Sequence, residues 1–185
     1  MGVPEFREWP KTARLFREAV ITEKIDGTNA CVIIGEDDSV TAQSRSRIIT
    51  SEQDNFGFAR WVSTNADALA ADLGPGYHYG EWWGSGIQRG YGLVKGEKRF
   101  SLFNQPRWAD LASNVPGLGV VPLLHAGDFS TLMVEKCVDD LRHAGSCAAP
   151  GFMKPEGVIV WHAAARVAFK VTLEKDEQPK AQASA

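Results

Sequence analysis

Apolar positions along this chain alternate before they repeat at helical spacing, and the alternation begins at about Ala19, after a mixed opening broken by Pro4 and Pro10. Val20 to Lys24 and Ala30 to Gly35 read as neighbouring strands joined by a tight turn at Asp26-Gly27. Glu36-Asp37-Asp38-Ser39 is a polar turn, and Val40 to Arg45 is the next strand, so the pattern predicts an antiparallel sheet. Phe58, Trp61, Val62, Ala66, Leu69 and Leu73 then recur near helical spacing, and Gly74-Pro75-Gly76 stops them: one or two short helices cover the sheet. Tyr77 to Gly84 is a strand crowded with aromatics, Gly84 to Gly96 a long glycine-rich loop, Arg99 to Asn104 a strand, and Val120 to Leu124 a short apolar strand. Thr131 to Ala144 places Met133, Val134, Cys137, Val138 and Leu141 on one helical face, with Ser130 or Asp128 at its start and Gly145 at its end. Gly157 to His162 and Arg166 to Leu173 form a hairpin across three alanines. Charged and small residues follow, which predicts a single domain over residues 1–173 and a frayed tail over 174–185.

Composition narrows the class without naming it. With 185 residues, 44% hydrophobic and 23% charged, the chain has the makings of one globular core. A net charge of -3 argues against a protein that coats nucleic acid by bulk charge, while leaving room for a local basic cleft. Cys31, Cys137 and Cys147 lack metal-type pair spacing, two of them sit in apolar runs where a buried thiol fits, and Cys137, His143 and Cys147 lack a fourth ligand, so a reduced setting is expected. Neither a signal peptide nor a segment of transmembrane length is visible, and a soluble cytoplasmic protein is expected.

Chemistry concentrates at Thr22-Glu23-Lys24-Ile25-Asp26-Gly27-Thr28-Asn29, where a lysine ends an apolar strand and meets an acid, a glycine and two small polar residues. A strand-end lysine is commonly a solvated charge. A nucleophilic one must shed a proton that a free lysine holds up to a pKa of ~10.4, which calls for burial or cationic neighbours. Four later stretches embed charged or aromatic residues among apolar ones: Tyr79-Gly80-Glu81-Trp82-Trp83-Gly84, Phe100-Ser101-Leu102-Phe103-Asn104, Pro155-Glu156-Gly157-Val158-Ile159-Val160, and Val167-Ala168-Phe169-Lys170-Val171.

In that order, the five elements resemble the covalent nucleotidyltransferase superfamily of ATP-dependent RNA and DNA ligases and mRNA capping enzymes. The first element looks most like the RNA ligase branch, since DNA ligases commonly carry arginine where Asn29 stands. The resemblance runs from about Val20 to Leu173. It implies an α+β fold: an adenylation (nucleotidyltransferase) domain of packed antiparallel sheets with a few helices, ATP-grasp-like. It also implies ATP and Mg²⁺ or Mn²⁺ as cofactors, and as partner an RNA with 5′-phosphate and 3′-hydroxyl ends.

By position, the resemblance has Lys24 attack the α-phosphate of ATP and carry AMP. Glu81 receives the ribose hydroxyls, Phe103 stacks on adenine, Glu156 holds the metal and Lys170 contacts the α-phosphate. Glu23 and Arg45 join the nucleotide-binding set, with Arg47 as the competing arginine. Physical chemistry supports this division, because nucleotidyl transfer needs fixed cations and a metal around the phosphate rather than an elaborate acid-base pair. Lys170 and the metal would also lower the pKa of Lys24 by like-charge repulsion.

Other readings stay open at several positions. Glu81 and Glu156 also read as surface carboxylates paired to arginines, Phe103 as a core residue, and Asp26 as an organiser of the turn. Relatives often place a second lysine two residues after the first late-strand lysine. Thr172 stands there, so the clamp is weaker or is completed by Lys175. The Gly84 to Gly96 loop is not a P-loop, and reads either as a flap carrying Gln88, Arg89 and Lys95 or as an ordinary hairpin connection. Ligases of this kind usually carry a further domain, and nothing after Leu173 could form one, so a minimal chain would either load AMP and rely on an accessory protein domain or bind nucleic-acid ends weakly. A DNA ligase, a capping enzyme and a non-catalytic nucleotide-binding or nucleic-acid-binding module are the rival functions.

Overall fold

The computed structural model describes residues 4–174; Lys175 and the tail beyond it lie outside the described residues. Ten strands form two sheets among those residues. The smaller sheet orders β10 (Val167–Thr172), β9 (Gly157–His162), β1 (Glu18–Lys24) and β8 (Leu123–Asp128), all antiparallel. The larger orders β4 (Ile48–Ile49), β3 (Val40–Ser44), β2 (Thr28–Ile34), β5 (Gly76–Gly84), β6 (Lys98–Leu102) and β7 (Leu118–Val120). Its pairs are antiparallel except β6 with β7, which run parallel.

Alternation sets which face of each strand is dry. In β1, Ala19 and Ile21 pack with Val158 and Val160 of β9 against Cys137, Val138 and Leu141 of helix α4 (Thr131–Ala144). Glu23 shares that face, so Val20, Thr22 and Lys24 point to the other. In the larger sheet, Ala30, Val32, Trp82, Phe100 and Leu102 pack under helices α1 (Phe58–Thr64) and α2 (Ala66–Leu73). Phe58 is fully buried there, with ring centroids 5.4 Å from Trp82 and 5.0 Å from Phe100. Burying such a side chain contributes about 2–3 kcal/mol. The opposite face carries Asn29, Tyr79, Glu81 and Ser101.

The predicted helical stretch is two helices because Asn65 leaves helical geometry, at φ -113°, between them. The strand expected over Val120 to Leu124 divides: β7 ends at Val120, and β8 begins at Leu123 in the other sheet. Pro122 has no N–H to continue a ladder. Instead, the Val121 amide donates to Leu102 in the larger sheet and the Pro122 carbonyl accepts from Glu23 in the smaller, at 3.0 Å each. This crossover ties the two sheets together one residue from Lys24. Between β6 and β7 lies a short helix, α3 (Gln105–Trp108), which the apolar pattern does not predict. The glycine-rich loop is anchored by Ile87 and Tyr91, both almost fully buried, with a single 3-10 turn at Gly90–Gly92. No helix among the described residues is long and apolar enough to cross a membrane.

Candidate active site

The site begins where β1 ends. Lys24 is paired across the ladder with Gly157, and the residue before Gly157 is Glu156, so the two motifs meet through strand register. Lys24 Nζ lies 2.6 Å from Glu156 Oε2, with each side chain about one-fifth exposed, at 22% and 18%. Gly157 lets β10 pack closely on this rung: a Cβ there would sit 2.1 Å from the Val171 carbonyl oxygen.

Past Lys24 the chain turns into the larger sheet. Gly27 packs so tightly on β5 that an added Cβ would lie 2.4 Å from the Trp82 carbonyl oxygen. That closeness lets the Gly27 amide donate to Glu81 Oε1 at 3.0 Å, while Asn29 Nδ2 donates to Glu81 Oε2 at 2.9 Å. Glu81 is buried, and burial is the main reason its carboxyl is pushed up to about 7; the nearby Lys24 charge and the two hydrogen bonds pull the other way, and Glu156 adds to the rise. Asp26, the acid of the turn, pairs with Arg89 Nε at 3.0 Å and gives its own amide to the Tyr91 hydroxyl at 2.9 Å. Burial raises the Tyr91 phenol and keeps it neutral.

Phe103 continues the β6 ladder, its amide donating to the Tyr79 carbonyl at 3.0 Å. Ser101 is registered opposite Glu81, which puts Phe103 two residues along on the same face, 42% exposed rather than in the core. Beside that rung lies a cavity of about 300 Å³ lined by Trp83, Arg99, Ser101, Ala148 and the Gly117–Val120 backbone.

Three expected residues stand apart from this group. Glu23 is 1% exposed on the α4 face, where its carboxylate accepts from Ser146 Oγ at 2.6 Å and from the Cys147 and Ala148 amides at 2.8 and 2.9 Å. Its pKa is raised by burial, against those three bonds. The side chain therefore holds a loop on the face of β1 opposite Lys24. Lys170 lies on the exposed edge strand β10, opposite Ile159, which is opposite Thr22. It shares the face of Lys24 but is displaced by two strands and two residues along them, about 12 Å at ordinary sheet spacings. The charged group against Lys24 is thus the Glu156 carboxylate, where the sequence suggested a second cation. Thr172 occupies Lys24's own rung and donates to the Glu174 carbonyl at 2.9 Å.

Arg45 and Arg47 line a rim crease of about 240 Å³ with Thr28, Ser44, Ser46 and Asn55. Arg47 bonds to Gln53 at 3.1 Å and its carbonyl closes the turn onto Ser44, whereas the Arg45 guanidinium makes no hydrogen bond among the described residues. The partners of Glu81 and Glu23 escaped the sequence reading. Asn29 stood in the motif without a role, and Ser146 to Ala148 carried no signal beyond following a helix stop.

Two packed sheets joined beside a strand-end lysine, with helices on their outer faces, make an α+β fold of the nucleotidyltransferase type. Residues 17–172 match the family model for RNA ligase, and the chain belongs to that family. Solved structures of Naegleria gruberi RNA ligase mutants share the fold. An apo form superposes with TM-score 0.62 at 19% identity, covering 88% of this chain and 52% of that one. A form with ATP and Mn gives 0.64 at 19% identity, covering 89% and 53%. A form with AMP and Mn gives 0.57 at 20% identity, covering 89% and 53%. The chain spans about half the length of that enzyme. No curated protein sequence matches significantly.

Proposed function

We propose that the chain is an ATP-dependent RNA ligase domain that carries AMP on Lys24. The observation that supports this most is the convergence of Lys24 from β1, Glu81 from β5 and Glu156 from the residue before β9 at one turn inside the matched region. The family implies a nucleic-acid substrate, and the Naegleria structures that hold ATP or AMP with Mn support an adenine nucleotide and a divalent metal here.

In the first step Lys24 Nζ, as the free amine, attacks the α-phosphorus of ATP. A P–N bond forms, the bond to the bridging oxygen breaks and pyrophosphate leaves. Glu81 accepts hydrogen bonds from the ribose hydroxyls, its carboxylate held by Gly27 and Asn29, and Phe103 offers an aromatic face to the base. Lys170 reaches in from the edge strand toward the phosphate, and Arg45 from the rim toward the ribose and the RNA 5′-phosphate. Among the described residues no group of three or more His, Cys, Asp or Glu side chains is gathered to hold a metal. A single carboxylate, Glu156, suits a Mg²⁺-type ion that draws its other ligands from water and phosphate. When bound, the ion neutralises charge on the phosphate oxygens. AMP then passes to an RNA 5′-phosphate, and a 3′-hydroxyl displaces it. We assign AMP loading to this domain.

Incubation with ATP labelled at the α-phosphate and Mg²⁺ or Mn²⁺, followed by denaturing electrophoresis, tests the first step. Covalent label on the wild type and none on Lys24→Ala is expected. Absence of label on the wild type across pH and metal conditions rejects the covalent mechanism, and equal labelling of both proteins rejects Lys24. Labelled GTP, and RNA set against DNA nicks, separate capping and DNA-sealing activities.

A further inference from the structure

The Gly84 to Gly96 loop holds the reactive turn through two side chains. Tyr91 lies buried among Ile25, Trp83, Val121 and Phe152, and its hydroxyl accepts the Asp26 amide. Arg89 reaches two segments at once: its Nε donates to Asp26 Oδ2 at 3.0 Å and its Nη1 donates to the Lys154 carbonyl at 3.1 Å. Asp26 is two residues after Lys24, and Lys154 is two residues before Glu156. The loop adopts an uncommon backbone to make these contacts, with Gln88 at φ 44° and Tyr91 at φ 53°, conformations a non-glycine residue keeps only when its surroundings demand it.

From this geometry we infer that Arg89 is a positioning residue for AMP loading, a brace that sets the Lys24 turn and the Glu156 segment at a fixed distance from each other. The inference rests on the function proposed above. A planar guanidinium can hold two acceptors in fixed directions; an ammonium is a single point charge and cannot reproduce the bridge. Arg89 touches neither reacting group. Its loss should therefore lower the rate of the chemical step and leave ATP binding nearly unchanged, since small misplacements of reacting groups cost up to about 10²-fold in rate.

The test uses wild type, Arg89→Ala, Arg89→Lys and Tyr91→Phe on the full chain, with two readouts. Single-turnover labelling at graded ATP concentration should show the maximal rate falling about 10- to 100-fold in Arg89→Ala, with only partial recovery in Arg89→Lys and half-saturating ATP within about twofold. Carbodiimide coupling mapped by mass spectrometry needs no activity. It should join Lys24 to Glu156 in the wild type and do so severalfold less in Arg89→Ala, while the Lys136 to Asp140 ion pair of α4 couples equally in both. Coupling that falls in a chain taking up no label keeps the brace and rejects the adenylylation reading. Wild-type labelling with unchanged rate and coupling in Arg89→Ala overturns the brace. Should Arg89→Ala fail to fold, Arg89→Lys decides: wild-type rate and coupling in that variant overturn the inference, and a shortfall in both upholds it.

Discussion

Two buried glutamates flank Lys24, and their surroundings assign them opposite work. Glu23 precedes the lysine, faces α4 and is held by three donors from one distant loop, Ser146 to Ala148. Glu81 comes from the other sheet, is held by two donors of the Lys24 turn itself, and lies close enough to feel the charges of both Lys24 and Glu156. Burial raises both carboxyls. Desolvation alone therefore does not mark a reactive group; the strand face and the origin of the donors do. Glu23 fastens the strand that bears the lysine, while Glu81 stands on the Lys24 side, where the proposed function has it meet the ribose.

The largest effect should come from the fastening residue. Glu23→Ala leaves two amides and a hydroxyl without their acceptor in a dry interior, at about 1–3 kcal/mol for each group that stays unsatisfied. A loss of about 4 kcal/mol in unfolding free energy is expected from denaturant titration, with the folded fraction still taking up AMP label. Near-wild-type stability with labelling abolished would exchange the roles given to the two glutamates. Glu81→Gln comes next. The amide keeps the shape but turns a donor toward Gly27 or Asn29, and it presents the ribose with one acceptor in place of a carboxylate. Labelling should slow about 10²-fold, worth about 2.7 kcal/mol.

The sequence made both of these glutamates easy to find and hard to tell apart. Strand alternation, the helix ends at Gly74 and Gly145, and the final hairpin follow local rules and fall where the pattern places them. Lys24, Glu81 and Glu156 were legible as candidates because each sits in a short stretch whose spacing resembles a known family. Glu23 was a candidate on the same grounds, but its bonds were not legible, since they depend on which face of β1 meets α4 and on a loop more than a hundred residues away. The split of Val120 to Leu124 between two sheets is a tertiary fact for the same reason: only Pro122 hints at it locally. Arg89 stood out as a flap cation, while its actual partners, Asp26 and Lys154, come from two other segments.

A smaller effect isolates Glu81 by its titration. Its carboxyl is pushed up to about 7 in the folded chain, from 4.5 for the ordinary group, so between those values the native state holds more protons than the unfolded state. Its contribution is complete below about pH 4.5 and is lost as pH rises through 7. Wild type should thus lose of order 2 kcal/mol relative to Glu81→Gln across that window, read from unfolding curves at several pH values. Glu23 shifts in the same direction, but it is present in both proteins and drops out of the difference. A difference that stays flat with pH would mean that the Lys24 charge and the hydrogen bonds of Gly27 and Asn29 fully offset burial at Glu81.

The smallest expected effect is at Phe103, on the face that Glu81 shares. It is 42% exposed, so replacing it removes little buried surface and the fold should keep its stability. In the nucleotide complex its ring would lie against the base, and stacking of a base on an aromatic side chain is worth about 1–3 kcal/mol by alanine substitution. Phe103→Ala should therefore raise half-saturating ATP about five- to tenfold, near 1 kcal/mol, while the maximal labelling rate stays close to wild type because the ring touches no reacting atom. The converse result, unchanged ATP dependence, would move the adenine off the Phe103 face and toward the cavity that Trp83, Arg99 and Ser101 line on the same sheet. Glu81 would then meet the ribose from the opposite side, with Gly27 and Asn29 still holding its carboxylate in place.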